Sequence, residues 1–234
     1  MTNKEILIVG AGLAGVSTAW ALRQRGHAVT VLDAHDQAAC GTSFANAGAL
    51  TPSEPEPWNA PGVHWQLLKS LPDPHSAMKL RLKPLPGLIP WGLRFLANST
   101  RKRYEAACHA NFALARHSLA CTRAARETAD IAYDCLQRGT LKVCSTRAPM
   151  EERARMGEML RSEGLRLDVL DREQTVAKEP LLASVADRIA GSIFYPDDES
   201  GDARAFTRGL AAADGREMLL IQGMAAWRHW FGAV

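Results

Sequence analysis

The sequence predicts an α/β fold that opens with a parallel strand-helix-strand unit and continues into a longer α+β region. Three observations predict it. An aliphatic run at 6–9 breaks into glycines at fixed offsets (Gly10, Gly12 and Gly15), a second alternating run ends on Asp33, and from 101 onward one long helical pattern gives way to short mixed segments.

Residues 4–9 (KEILIV) hold four consecutive aliphatic side chains bounded by Gly10, which suits a strand in a parallel sheet covered on both faces. Residues 16–25 then carry apolar positions at helical spacing, Gly26 stops the helix, and 27–33 (HAVTVLD) reads as a second strand. The glycines divide the work of the turn. Gly10 permits the tight bend, Gly12 lets backbone N–H groups approach a pyrophosphate, and Gly15, with Ala19 on the same helix face, lets helix and strand pack closely. The helix N-terminus adds roughly half a positive charge toward the phosphates. Asp33, at the end of the second strand, is placed to accept hydrogen bonds from a ribose diol and would repel a 2′-phosphate, which argues against NADP. A bare GxGxxG is weak, but this whole string of strand, glycines, helix, second strand and terminal acid predicts a Rossmann-like dinucleotide-binding domain.

The rest of the chain reads as a second organisation. Residues 51–91 are Pro-rich and without long periodicity, predicting loop with short elements, including a strand at 78–82. A helix is predicted over 101–137, ended by Gly139 and holding Cys108, Cys121 and Cys135 as small packing residues. Strands at 139–145, 166–170 and 190–195 alternate with helices at 149–163 and 171–178, and a last helix covers 202–213.

Composition removes several function classes. The 234 residues are 47% hydrophobic with a formal net charge of +3, too weak a field to drive nucleic-acid binding, and the one basic cluster, Arg101, Lys102 and Arg103, lacks interleaved aromatics. The five cysteines are odd in number and none are spaced to grip zinc, so reduced thiols in the cytoplasm and no metal site are expected. An apolar stretch at 6–22 superficially resembles a signal-peptide core, but its regularly placed glycines suit a nucleotide loop instead. The seven histidines are scattered, and consecutive Asp197, Asp198 and Glu199 read as a solvated loop rather than a general acid or a metal site.

The segment GTSFANAG at 41–48, after the VLDAHDQAAC run and before TPSEPEPWNAPGV at 51–63, carries a resemblance. The chain is similar to the N-terminal region of the FAD-dependent D-amino acid dehydrogenase small subunit, within the D-amino acid oxidase and glycine oxidase superfamily. The likeness runs on through 79–83, 92–97, 101–143 and YPDDESGD at 195–202, covering roughly residues 1–213. It implies FAD as cofactor, a D-amino acid as substrate, oxidative deamination to a 2-oxo acid and ammonia, and a respiratory electron acceptor, hence loose peripheral association of a cytoplasmic protein with the inner membrane. It also implies that 42–48 runs from the diphosphate toward the flavin ring, so that Gly10, Gly12, Gly15, Asp33, Ser43, Asn46 and Gly48 are the expected cofactor contacts.

The expected organisation is an incomplete FAD-binding domain (1–50, with a return helix at 201–213) interleaved with a linker and α+β substrate domain (51–200), then an atypical tail (214–234). The tail does not resemble the family's continuation, so the chain reads as C-terminally truncated, with only two parallel strands in the first domain. Residues that position the substrate carboxylate belong to the family's later half, so no catalytic residue is assigned. Two other readings stand beside the dehydrogenase: another superfamily amine oxidase acting on glycine or sarcosine, and a non-catalytic dinucleotide-binding remnant or interaction subunit.

Overall fold

A computed structural model describes residues 3–70, 85–213 and 219–222. The strand expected at 78–82 lies outside the described residues. The chain divides into two compact units, one of residues 1–51, 118–142 and 194–234, the other of 52–117 and 143–193. The stretches 118–142 and 194–200, expected in the substrate domain, thus belong to the first unit.

The first unit is built on the N-terminal strand-helix-strand. β1 (Glu5–Val9) and β2 (Ala28–Asp33) run parallel, with Ile6 opposite Val29 and Ile8 opposite Val31, and α1 (Leu13–Arg23) connects them. After α1, Gly26 takes φ +83° while the Gly26 and His27 amides bond back to Arg23 and Leu22, closing the helix. β8 (Leu219–Gln222) adds a third parallel strand on the far side of β2, with Leu220 opposite Val31. The expectation of two strands is therefore corrected. The four-residue LLIQ run at 219–222 needs only the free edge of β2 to pair.

One face of this sheet is covered. Val29 and Val31 are buried against Val16 and Ala19 of α1, in a cluster that includes Phe206 and Leu210 of α7 (Ala203–Ala213). Each buried Val, Leu or Phe side chain there contributes roughly 1.5–3 kcal/mol by leaving water. The opposite face differs from the expectation of cover on both sides: Leu7 and Val9 are 63% and 78% exposed. A short antiparallel pair completes this unit, β3 (Ala49–Leu50) on β7 (Glu199–Ser200), with Ser200 also bridged to Leu136.

In the second unit lie α2 (Val63–Ser70), α3 (Leu85–Asn98), α5 (Arg147–Leu160), β5 (Asp168–Leu170) and α6 (Arg172–Lys178). The strands β4 (Thr140–Cys144), β6 (Gly191–Tyr195) and β5 form a separate sheet in the order β4-β6-β5. Helix α4 (Arg101–Thr128) is shared by both units and ends nine residues before the expected position of 137. The reason is a left-handed cap. Asp130 takes φ +48°, the Ile131 amide reaches back to the Arg126 carbonyl at 3.0 Å, and Ile131 is buried as part of the first unit's core. Cys135 consequently lies beyond the helix, while Cys108 is buried within it. Burial, with the nearby Glu56 charge, pushes the Cys108 thiol up to about 11, which makes it a protonated packing group.

Candidate site at the glycine bend

The glycine bend sits where β1 passes into α1, and it is locked on three sides. The Gly10 amide donates to the Leu32 carbonyl at 2.7 Å, the Ala11 amide to Asp33 Oδ2 at 2.6 Å, and the Ala39 amide to the Ala11 carbonyl at 2.9 Å. Gly10 has φ +107°, a conformation that side chains resist, and a Cβ on Gly15 would stand 1.8 Å from the Gly10 carbonyl oxygen. Gly12 differs from both. Its φ is −74° and a Cβ there would touch only Ser43 Oγ, at 3.5 Å, so the protein itself leaves room in front of the helix.

Gly12 is the N-cap of α1 and offers no side-chain cap of its own. The first helical hydrogen bond runs from Val16 to the Gly12 carbonyl at 3.0 Å, so the amides of Gly12, Ala14 and Gly15 are not used by the helix ladder. The Leu13 amide is taken by Ser43 Oγ at 3.0 Å, which ties the 3-10 turn Thr42–Phe44 to the helix tip. A bend that leaves backbone donors and open space at the positive end of a helix is suited to a diphosphate. The residues present therefore fit the phosphate end of a dinucleotide.

Asp33 holds the other side of the bend. One carboxylate oxygen accepts from Ala11 and the other from the His35 amide at 2.9 Å, leaving a lone pair on each oxygen for a ribose hydroxyl. Burial raises its pKa, but the hydrogen bonds from Ala11 and His35 and the His35 charge outweigh that effect, so the carboxyl titrates below its ordinary value.

Beyond Ser43 the loop continues in a defined path. Asn46 is exposed, and its Oδ1 accepts the Gly48 amide at 2.8 Å. Gly48 has φ +60°, and a Cβ there would lie 2.0 Å from the Gly201 carbonyl oxygen, while the Gly201 amide donates to the Gly48 carbonyl at 2.9 Å. The Arg204 guanidinium lies 3.9 Å from the centre of the Phe44 ring. The structure thus gathers Gly10, Gly12, Gly15, Asp33 and Ser43 around the bend and places Asn46 and Gly48 at the far end of the loop.

Ala11, Ala39, Gly201 and Arg204 escape sequence reading, since Ala39 and Arg204 carry no motif and Ala11 acts only through its backbone. The acidic run gives a further correction. Asp198 and Glu199, expected in a solvated loop, are 2% and 3% exposed. Arg123 pairs its charge with Glu199 and Gln137 adds a hydrogen bond, both from 60 or more residues earlier in the chain, and no local pattern announces them. Among the described residues no group of three or more His, Cys, Asp or Glu side chains is arranged to hold a metal ion.

The sequence pattern of the DAO family, described as FAD dependent oxidoreductase, matches residues 5–223. The chain belongs to this family of FAD-dependent oxidoreductases. The match passes residue 213, where the resemblance had been expected to stop, and takes in β8. The chain is 42% identical over 207 residues to a D-amino acid dehydrogenase of Phenylobacterium zucineum, covering 88% of this chain and 49% of that protein. It is 41% identical over 209 residues to a D-amino acid dehydrogenase of Paramagnetospirillum magneticum, covering 89% and 50%. The chain therefore spans about half the length of the curated relatives it matches.

The fold is similar to that of solved structures. Glycine oxidase from Geobacillus kaustophilus superposes with a TM-score of 0.59 at 21% identity, covering 95% of this chain and 47% of that one. For L-proline dehydrogenase from P. horikoshii the TM-score is 0.64 at 16% identity, covering 94% and 44%. These likenesses establish the Rossmann-like fold expected for this family of flavoproteins.

Proposed function

We propose that the chain binds FAD at the glycine bend and serves in the oxidative deamination of D-amino acids. The observation that carries this reading is the bend itself. It keeps donors and space in front of α1 at Gly12 while Gly10 and Gly15 are fixed by the protein's own sterics. The identity of 41–42% to relatives named D-amino acid dehydrogenases supports the choice of substrate class.

In this reading Gly10, Gly12 and Gly15 shape the diphosphate cradle, and Asp33 accepts from the adenosine ribose. Ser43 holds the loop against the helix tip, and Asn46 and Gly48 set the path toward the flavin. FAD, when bound, supplies the two-electron acceptor for the substrate. The overall conversion removes two electrons and two protons from the D-amino acid, and water hydrolyses the resulting imine to a 2-oxo acid and ammonia. A respiratory acceptor on the inner membrane is the proposed electron sink, with the protein peripheral to it. Among the described residues no helix is long and apolar enough to cross a membrane.

Titration with FAD followed by flavin fluorescence tests the cofactor, and saturable quenching is expected. A dye-linked assay with D-alanine, set against peroxide production with glycine, tests the reaction. Dye reduction with D-alanine supports the dehydrogenase reading, peroxide from glycine turns it to an oxidase, and no FAD uptake at all leaves a remnant.

A further inference from the structure

We propose that Glu199 is a positioning residue that holds the Gly48 end of the site loop, and with it the flavin end of the cofactor. The second half of this statement rests on the FAD reading above. The first half stands on geometry alone.

Glu199 is a charged group in an unusual place. Its side chain is 1% exposed, yet Arg123 Nε donates to it at 2.7 Å, Gln137 Nε2 donates at 2.5 Å, and Arg126 Nη1 stands 3.9 Å away. Cys135 Sγ lies 3.6 Å from its second oxygen. These partners come from the last turns of α4 and from the irregular chain that follows its left-handed cap. A buried ion pair is rarely a net source of stability compared with an apolar side chain of similar volume. What such a cluster does supply is a fixed geometry, because every displacement leaves a charge unpaired.

That geometry is transmitted through one short strand. Glu199 pairs with Leu50 and Ser200 with Ala49, while Ser200 exchanges both backbone hydrogen bonds with Leu136, at 2.8 and 3.0 Å. Gly201 then grips the Gly48 carbonyl and leaves no room for a Cβ there. A ladder of two residues on each side is marginal by itself, so the side-chain cluster of Glu199 is what keeps β7 in register beneath Gly48. The other end of the loop has a separate anchor, the hydrogen bond from the Leu13 amide to Ser43 at the helix tip. Loss of the Glu199 charge therefore frees the Gly48 end and spares the diphosphate bend.

The two ends can be read separately with two nucleotides, since ADP engages only the bend whereas FAD also needs the far end of the loop. The experiment compares the full chain with Glu199→Gln and, as a control for general destabilisation, Thr175→Val. The buried hydroxyl of Thr175 bonds Ser192 at 2.8 Å in the other unit. Exchange of the Ser200 and Gly201 amides is expected to accelerate about tenfold in Glu199→Gln, with Gly10 and Val16 within about twofold of the parent, the size of a lost charge-assisted hydrogen bond. The FAD dissociation constant is expected to rise about tenfold and that of ADP by less than about twofold.

Equal weakening of both nucleotides, unchanged exchange at Ser200 and Gly201, or the same FAD-to-ADP shift in Thr175→Val overturns the proposal. If the parent chain binds neither nucleotide, the FAD reading fails and the flavin-end role falls with it, while the exchange pattern alone decides whether Glu199 holds Gly48. If Glu199→Gln does not fold, Arg123→Gln carries the test. Its side chain is 41% exposed, and about threefold changes in the same directions are expected.

Discussion

Three glycines separated by a few residues face unlike demands. A methyl group on Gly15 would meet the Gly10 carbonyl at 1.8 Å, so Gly15→Ala must push α1 off β1 and is expected to cost about 1–3 kcal/mol or more, read as a fall in the unfolding midpoint. Gly12→Ala meets only Ser43 Oγ at 3.5 Å, so its unfolding midpoint should stay close to the parent's while ADP and FAD affinity drop together. A stable Gly15→Ala, or undiminished nucleotide affinity in Gly12→Ala, contradicts this division of roles. Asp33 yields a second expectation. Its carboxyl titrates below the ordinary value in the folded chain, so its contribution to stability is present above the unfolded value of about 4 and fades as pH falls through the folded one. The stability gap between the parent and Asp33→Asn should therefore be widest near neutral pH and narrow below about pH 4, as urea unfolding across that range would report.

Elements whose ends are encoded locally behave differently from those ended by distant contacts. Helix α6 starts on a capping box: the Asp171 side chain accepts the Gln174 amide at 2.8 Å, and the Gln174 side chain accepts the Asp171 amide at 3.0 Å. Asp171→Ala removes one half of that exchange and should destabilise by about 1 kcal/mol, visible in denaturant unfolding. Helix α4 is the contrary case. Its apolar and Ala-rich pattern continues past Thr128, and it stops because Ile131 turns into the core, where a Cβ on Gly209 of α7 would lie 2.5 Å from Ile131 Cγ2. No glycine marks that end in the sequence, and Asp130 takes the left-handed conformation of the cap instead.

At the scale of the molecule, the first sheet carries exposed apolar side chains on one face. Leu7 and Val9 stand out from β1, which among the described residues pairs only with β2. An unpaired apolar strand edge is a template for self-association. The double variant Leu7→Thr, Val9→Thr keeps a β-branched side chain at Val9 and introduces one at Leu7, so its unfolding free energy should change by no more than about 0.5 kcal/mol per site while light scattering at high concentration falls. A large loss of stability instead would mean that these side chains are packed in solution.

The sequence by itself determined the strand-turn-helix-strand at the N-terminus, because glycine offsets, aliphatic runs and the terminal Asp33 are local codes for backbone conformation and burial. It also determined most of the later strands and helices, whose periodicities lie within windows of a few turns. The tertiary structure alone decided the buried environment of Asp198 and Glu199, the third strand beside β2, the early end of α4 and the single covered face of the sheet. Each of these depends on partners far along the chain, and the free energy of a charge or an apolar side chain is set by what surrounds it, which a local pattern does not carry.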